Sequence, residues 1–454
     1  MSELKAGFSR VNINPTLGIA VSGYYVPRFA SGILDDLYAN CLTVEKDGTT
    51  VALISIDNVG INKDVLAEYG AYIEARSGVS AENLFFHCTH THTGPCTVHN
   101  PEFACDDAPI DQYREFLKQR LGDAVVLALQ TMRPARLGFA VGYAPDRVSY
   151  IRRYRMKDGS TWTCPPIESP EIDHPIGTLD RRVNVLRIDR EGADSVVILN
   201  YGLHADTLNI DQISPDWPGW MARTFEAAVP DSKVMFFAGA EGDVGSTHVF
   251  PEGGDMNDTE ISFDNEMKSP GMCRFVGRAM AGTILQVYDK VEYVDVDDIR
   301  ILKTMVEVPA NKPAPEDLPR AHEYKRLHEA DRDDLIPYTA MELTTVVAEA
   351  LRMCRLENGP DTFTLPMTGL KLGPVALIGI PGEPFTDIGR TLQDTAEGWK
   401  CVLPCCNANG YEGYFPMKSA FDEGGYEARS SVYKGGVAES LIAGGQRLLA
   451  ELKS

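Results

Sequence analysis

Apolar strand-like runs alternate with helical patterns over most of this 454-residue chain, and that alternation constrains the fold more than any other feature. The runs VALISIDNVG, NLFFHCTHTHT, SVVILNYGLHA, KVMFFAGAEGDV, PVALIGIPGEP and KCVLPCCNANGY read as strands. Between them the spacing predicts helices over about 63–76, 111–132, 220–228, 272–290, 337–357, 386–396 and 436–453, with a more strand-rich stretch at 295–309. Such a chain is expected to be α/β, a mixed β-sheet core covered by helices. No internal repeat or Gly/Ser-rich linker divides it, so residues 1–454 are expected to form a single domain, with 293–370 as a candidate subsidiary lobe.

Charge and composition remove several classes of function. With 65 Asp and Glu against 43 Lys and Arg, the net charge is −22, which opposes nucleic acid or an anionic membrane as the main partner. No apolar run approaches the roughly 20 residues that span a bilayer, and the opening MSELKAGFSRVNINP lacks a secretory signal. Ten cysteines are scattered without a C-x-x-C pair, the pattern of free thiols in a reducing compartment, so a cytoplasmic location is expected. No G-x-S-x-G elbow, phosphate-binding loop or dinucleotide fingerprint occurs, which disfavours serine hydrolases and nucleotide enzymes.

The strand-like runs end in polar residues, and ligands of open α/β sheets bind beyond the carboxyl ends of strands. These ends carry His90 and His92, His204 and Asp206, Glu241 and Asp243, Glu383, and then Asn409, Tyr411 and Tyr414. In an extended segment residues two apart share a face, so His90 and His92 are expected to address one point, and Gly94-Pro95 forces a turn after them. Imidazole suits Zn²⁺, whose open catalytic sites hold three N or O protein ligands plus water. The competing reading of H-x-H is a pair of histidines satisfied by backbone. His87 is expected to be structural, and His99 is a candidate pocket residue. HEYKRLH, from His322 to His328, has the wrong spacing for a zinc-protease helix and reads as a solvated helix face. Asp57 and Asp216 are candidate partners that orient zinc histidines, Asp216 being equally suited to a helix cap. Asp243 is a candidate brace for His204 or ligand of a separate cation, while Trp217 and Trp220 are pocket-wall or core residues.

These motifs resemble, in order, those of the catalytic domain of the neutral (non-lysosomal) ceramidase family. The family's HTHSGP segment corresponds to His90-Thr91-His92-Thr93-Gly94-Pro95, and its second histidine segment to Leu203 through Thr207. Its carboxylate turn corresponds to Pro381-Gly382-Glu383, and its N-x-Y-x-x-Y and Y-E-x-x-S segments to Asn409 through Tyr414 and Tyr426 through Ser430. The resemblance implies Zn²⁺ held by His90, His204, Glu383 and Tyr414, with His92 beside the metal to move a proton. It implies that Tyr426 faces the substrate carbonyl oxygen, and that Arg147, or in its place Arg152 or Arg153, binds substrate.

The chain also departs from that family. A serine in the family's G-D-V-S segment is Gly245 here, so water rather than that hydroxyl is the expected nucleophile. The family's G-I-H-x-R segment is replaced by Gly32 through Tyr38, Glu241 adds a carboxylate, and a C-terminal immunoglobulin-like domain is not expected. Together these imply a zinc-dependent amidohydrolase that cleaves an N-acyl bond with zinc-activated water, in a small or medium substrate more polar than ceramide. The alternatives are a zinc-dependent carbohydrate-active enzyme (deacylase, glycan hydrolase or lyase) and a non-catalytic zinc-containing binding protein.

Overall fold

In a computed structural model, which describes residues 3–99 and 107–454, two sheets stack face to face between layers of helices. The larger has nine strands. Edge to edge it runs Ser232–Ala238, Ser195–Tyr201, Arg182–Arg190, Arg133–Tyr143, Lys5–Asn12, Tyr38–Lys46, Thr49–Ile56 and Leu84–Cys88, with Glu292–Val294 paired to Arg133–Tyr143. Its two outermost pairs, Ser195–Tyr201 with Ser232–Ala238 and Thr49–Ile56 with Leu84–Cys88, are parallel. The pairs between them are antiparallel. The second sheet follows the order Ile299–Pro309, Thr362–Leu372, Val375–Gly379 and Cys401–Cys405, its last pair parallel.

The expected α/β class with a mixed sheet is what the structure has, but the core is split into two sheets. Strands covered on both faces need apolar side chains in both directions, which explains the unbroken runs. Val51 and Leu53 face the layer between the sheets with Leu377 and Leu403, whereas Ala52, Ile54 and Ile56 pack with helices Lys63–Ser77 and Asp107–Gln130. Val196 and Ile198 join the inter-sheet layer, while Val197 and Leu199 pack on helices Asp216–Ala228 and Pro270–Val287. Beyond the second sheet, Ala376 and Ile378 meet Ile388, Leu441 and Leu448 of helices Thr386–Asp394 and Val437–Lys453. Each fully buried Leu or Ile in these layers contributes roughly 1.5–3 kcal/mol.

Sequence periodicity misses Arg133–Tyr143, Arg182–Arg190 and Thr362–Leu372, because Arg, Asp, Gly and Thr break their apolar alternation. The 293–370 stretch lends Ile299–Pro309 and most of Thr362–Leu372 to the second sheet. Between them helices Leu318–Glu329 and Ala340–Glu357 pack through Ala321, Ala350 and Met353, and Tyr25 rests on the same helix pair. No helix among the described residues is long and apolar enough to cross a membrane.

Loops leaving the parallel strand ends are stitched together by backbone bonds. Cys406 N–H donates to Ala238 O at 2.9 Å, His92 N–H to Ala205 O at 3.0 Å and Gly242 N–H to Pro384 O at 2.9 Å. Asn409 fastens the two sheets, accepting from Phe86 N–H at 3.0 Å and donating to Thr368 Oγ1 at 2.9 Å.

Candidate active site

Leu84–Cys88 ends two residues before His90, which adopts a left-handed backbone at φ 63°. The extended-segment reading of His-Thr-His is therefore corrected: a turn, not strand alternation, brings both rings to one place. Left-handed backbone is uncommon for a residue other than glycine and persists where surrounding bonds fix it. Here His90 N–H donates to Asn58 O at 2.9 Å and its Nδ1 meets Val59 O at 2.7 Å. His204 follows Ser195–Tyr201, its Nδ1 against Val244 O at 3.0 Å. Both rings thus donate Nδ1–H to a carbonyl and turn an Nε2 lone pair inward.

Glu383 completes the cluster. Its Oε2 lies 3.0 Å from His204 Nε2 and 3.3 Å from His90 Nε2. His92 Nε2 faces His90 Nε2 at 3.3 Å, and the three histidines form a buried group able to hold a metal ion. Two inward lone pairs and a carboxylate oxygen around one point are a donor set that fits a divalent cation. Without a cation, burial disfavours the imidazolium of His90, but Glu383 outweighs it and raises His90 to about 9. Burial and then Arg152 push His204 down to about 4.

Three buried carboxylates brace the loops that carry these ligands. Asp57 accepts from Thr89, next to His90. Asp216 accepts from the Thr207 amide and hydroxyl, three residues past His204. Asp243 accepts from the Thr386 amide and hydroxyl, three residues past Glu383, so the segment it braces is that of Glu383 and not that of His204. Trp217 is a core residue, and its indole N–H donates to His204 O at 3.0 Å.

The tyrosines sit on the other side. Tyr414 is the register partner of Glu383 in a short parallel ladder, and Tyr411 O–H donates to Glu383 Oε1 at 3.1 Å. Tyr426 packs edge-on against Tyr414, ring centroids 5.4 Å apart, and Tyr25 follows at 6.5 Å. Burial raises the Tyr426 phenol well above its usual range and keeps it a neutral donor.

Among the expected residues, Arg147 is not brought to the cluster. It occupies an exposed left-handed turn at φ 75°, where it pairs with Asp255. Arg152 takes that place. Its Nη1 lies 3.4 Å from His204 Nε2, its guanidinium is over the Tyr414 ring at 5.4 Å, and its Nε pairs with buried Glu427 at 2.7 Å. Arg153 is turned away to Glu423 at 3.0 Å. His99 is exposed and pairs with Asp111 at 2.8 Å. His87 is structural, accepting from Ala238 N–H at 2.8 Å. In the HEYKRLH helix, His322 pairs with Glu357 and His328 with Asp333, each at 3.0 Å. Glu241 is fully buried beside Cys406 Sγ at 3.1 Å, not salt-bridged at the surface, and burial raises it to about 7. None of the nine described cysteines forms a disulfide, and Cys105 lies outside the described residues.

Sequence reasoning missed a second cluster behind His92. Lys268 Nζ is buried among Glu266, Asp206 and Asp264 at 2.8, 2.9 and 3.1 Å, and also donates to Tyr24 O–H at 2.7 Å. These three carboxylates have metal-ligand spacing, but the Lys268 ammonium already occupies their centre. Nothing in the dipeptide Met267-Lys268, set in a turn-rich segment, marks it in the sequence.

No family model matches the sequence, and no curated protein does. Solved structures do match. The crystal structure of neutral ceramidase from Pseudomonas aeruginosa aligns with TM-score 0.70 and 17% identity, covering 98% of this chain and 73% of that one. A ceramidase complexed with C2 aligns with TM-score 0.73 and 17% identity, covering 99% of this chain and 75% of that one. The two-sheet core, the strand-end loops and the site they carry therefore belong to a chain with the fold of the neutral ceramidases.

Proposed function

We propose that this protein is a zinc-dependent hydrolase that cleaves an amide (N-acyl) bond in a substrate more polar than ceramide. The observation that carries the reading is the meeting of His90 Nε2, His204 Nε2 and Glu383 Oε2 within 3.0–3.3 Å contacts, with a third imidazole, a guanidinium and tyrosines around them. His90, His204 and Glu383 would hold the ion, with Tyr414 as a fourth ligand from the residue beside Glu383. When bound, Zn²⁺ supplies a Lewis acid that lowers the pKa of a coordinated water to about 7 and polarises a carbonyl.

The chain's own groups supply the rest. His92 Nε2 takes the proton of the attacking water and returns it to the leaving amine nitrogen, so water and amide become acid and amine. The neutral Tyr426 phenol donates to the carbonyl oxygen as negative charge develops there. Arg152 replaces Arg147 as the substrate-side cation, held by Glu427 beside His204, where it favours an anionic or carbonyl oxygen. Gly245 removes the hydroxyl that an acyl-enzyme route would need. A reducing, cytoplasmic setting fits cysteines that form no disulfide.

The test is turnover of zinc-loaded protein against N-acyl amines of graded acyl length and polarity, alongside acetylated and unmodified glycans. Release of free acid and amine from short or polar N-acyl compounds supports the reading. Glycan cleavage without amide cleavage would assign the carbohydrate-active alternative, and bound zinc with no turnover would assign the binding-protein alternative.

A further inference from the structure

The three histidines of the cluster differ in what stands behind them. His90 and His204 each place Nδ1 against a backbone carbonyl, at 2.7 and 3.0 Å. His92 does not. Its Nδ1 is buried without a hydrogen bond, and the group it faces is the carboxylate of Asp206, Oδ2 at 3.4 Å. A carbonyl fixes a tautomer and leaves a neutral ring, and carbonyls and carboxylates both stand behind metal-binding histidines. A carboxylate fixes the same tautomer and also stabilises the imidazolium that forms when Nε2 takes up a proton. Of the three rings, His92 alone has a carboxylate behind Nδ1.

Asp206 is itself held rigidly. Tyr24 O–H donates to Oδ1, and Lys268 Nζ donates to Oδ2 at 2.9 Å. Lys268 has only 1% of its side chain exposed and is shared with Asp264 and Glu266. Burying an ammonium among carboxylates costs several kcal/mol unless hydrogen bonds satisfy it, and here every proton of the ammonium has an acceptor. On the other side, Arg28 binds the His92 carbonyl at 2.6 Å and lies over the Tyr24 ring at 4.1 Å. His92 N–H meets Ala205 O, so its backbone is pinned to the residue next to Asp206.

We propose that Asp206 is a positioning residue for His92, holding its proton on Nδ1 so that Nε2 faces the metal centre as a base, and that Lys268 and Tyr24 fix Asp206 in that role. The assignment rests on the hydrolase reading above, and it deepens it by naming what holds His92 as a base.

Asp206→Asn, Asp206→Glu and His92→Gln, each loaded with zinc, test it against hydrolysis of a short-chain N-acyl p-nitroanilide. For Asp206→Asn, kcat is expected to fall about 10²-fold or more, with KM within about twofold of wild type and one zinc per chain retained. Asp206→Glu should recover part of the kcat. Unchanged kcat in Asp206→Asn, or zinc lost in step with activity, would overturn the proposal.

A second readout needs no substrate and no variant fold beyond assignment. In ¹⁵N-histidine spectra of zinc-loaded wild-type protein, the resonance that disappears in His92→Gln should show a proton on Nδ1 and a bare Nε2. A proton on Nε2, or a metal-bound Nε2, would overturn the pairing. If no N-acyl compound is turned over, the hydrolase reading fails while this spectrum still decides the Asp206–His92 assignment.

Discussion

Arg152 Nη1 lies 3.4 Å from Nε2 of His204, a buried guanidinium beside a buried imidazole. Burial, and after it repulsion from the guanidinium, keeps His204 neutral, the form in which imidazole binds metal. The arginine is tolerated because Glu427, also buried, pairs with it at 2.7 Å. Arg152→Met should leave the buried Glu427 with only Thr163 and the more distant Arg153 and destabilise the fold by about 3 kcal/mol, whereas joint replacement of Arg152 and Glu427 by apolar residues should cost less. A double-mutant cycle in urea unfolding checks this. Additive losses from the two sites would show that the pair does not act as a unit.

Removal of a ligand and removal of the proposed base should separate cleanly. His90→Ala, His204→Ala and Glu383→Gln are expected to lose both bound zinc and hydrolysis. His92→Ala should keep the metal while kcat falls about 10²–10⁴-fold, the range for loss of general acid–base catalysis. Elemental analysis of gel-filtered protein paired with turnover measures both. Zinc lost from His92→Ala at the same rate as from His90→Ala would make His92 a ligand.

Much of this was legible because a few physical rules act locally. Runs such as VALISI and SVVILNY are apolar on both faces because both faces are covered, and their polar ends reveal where the strands stop. His90, His204, Glu383 and the tyrosines stood out for that reason. The split into two sheets did not, because strands such as Arg133–Tyr143 carry Arg on exposed positions and Gly on buried ones and lose their alternation. The choice between Arg147 and Arg152 depends on which side of a turn faces inward, and several arginines in one short segment look alike in sequence. Lys268 was invisible for a different reason: Asp264 and Glu266 beside it read as an ordinary charged turn, and only folding brings Asp206, 62 residues away, to the same ammonium.

Gly23 shows how closely that loop packing is set. It adopts φ +113°, and a Cβ there would stand 2.8 Å from the His92 ring. Gly18, at φ +85°, has nothing within 4 Å. Gly23→Ala should therefore carry a steric cost that Gly18→Ala lacks, displacing His92 and lowering kcat, on top of a backbone cost of about 1–3 kcal/mol in either variant. Equal turnover in the two alanine variants would mean that His92 does not depend on this contact.

Acid should weaken the fold partly through His87. This ring is buried against Phe237, accepts from Ala238 N–H, and is pushed from 6.5 down to about 3, mainly by burial. Between those values the unfolded chain takes up a proton that the native ring refuses. Its stabilising contribution is thus complete above pH 6.5 and is lost as pH falls toward 3, at up to about 1.4 kcal/mol per pH unit. His87→Gln keeps an acceptor for the Ala238 amide but has nothing to titrate. Unfolding free energies of the two proteins measured from pH 7.5 to 4.5 should converge as the pH drops, with the wild type losing more. Parallel curves would place the acid sensitivity in other groups and leave His87 as a neutral spacer between the sheets.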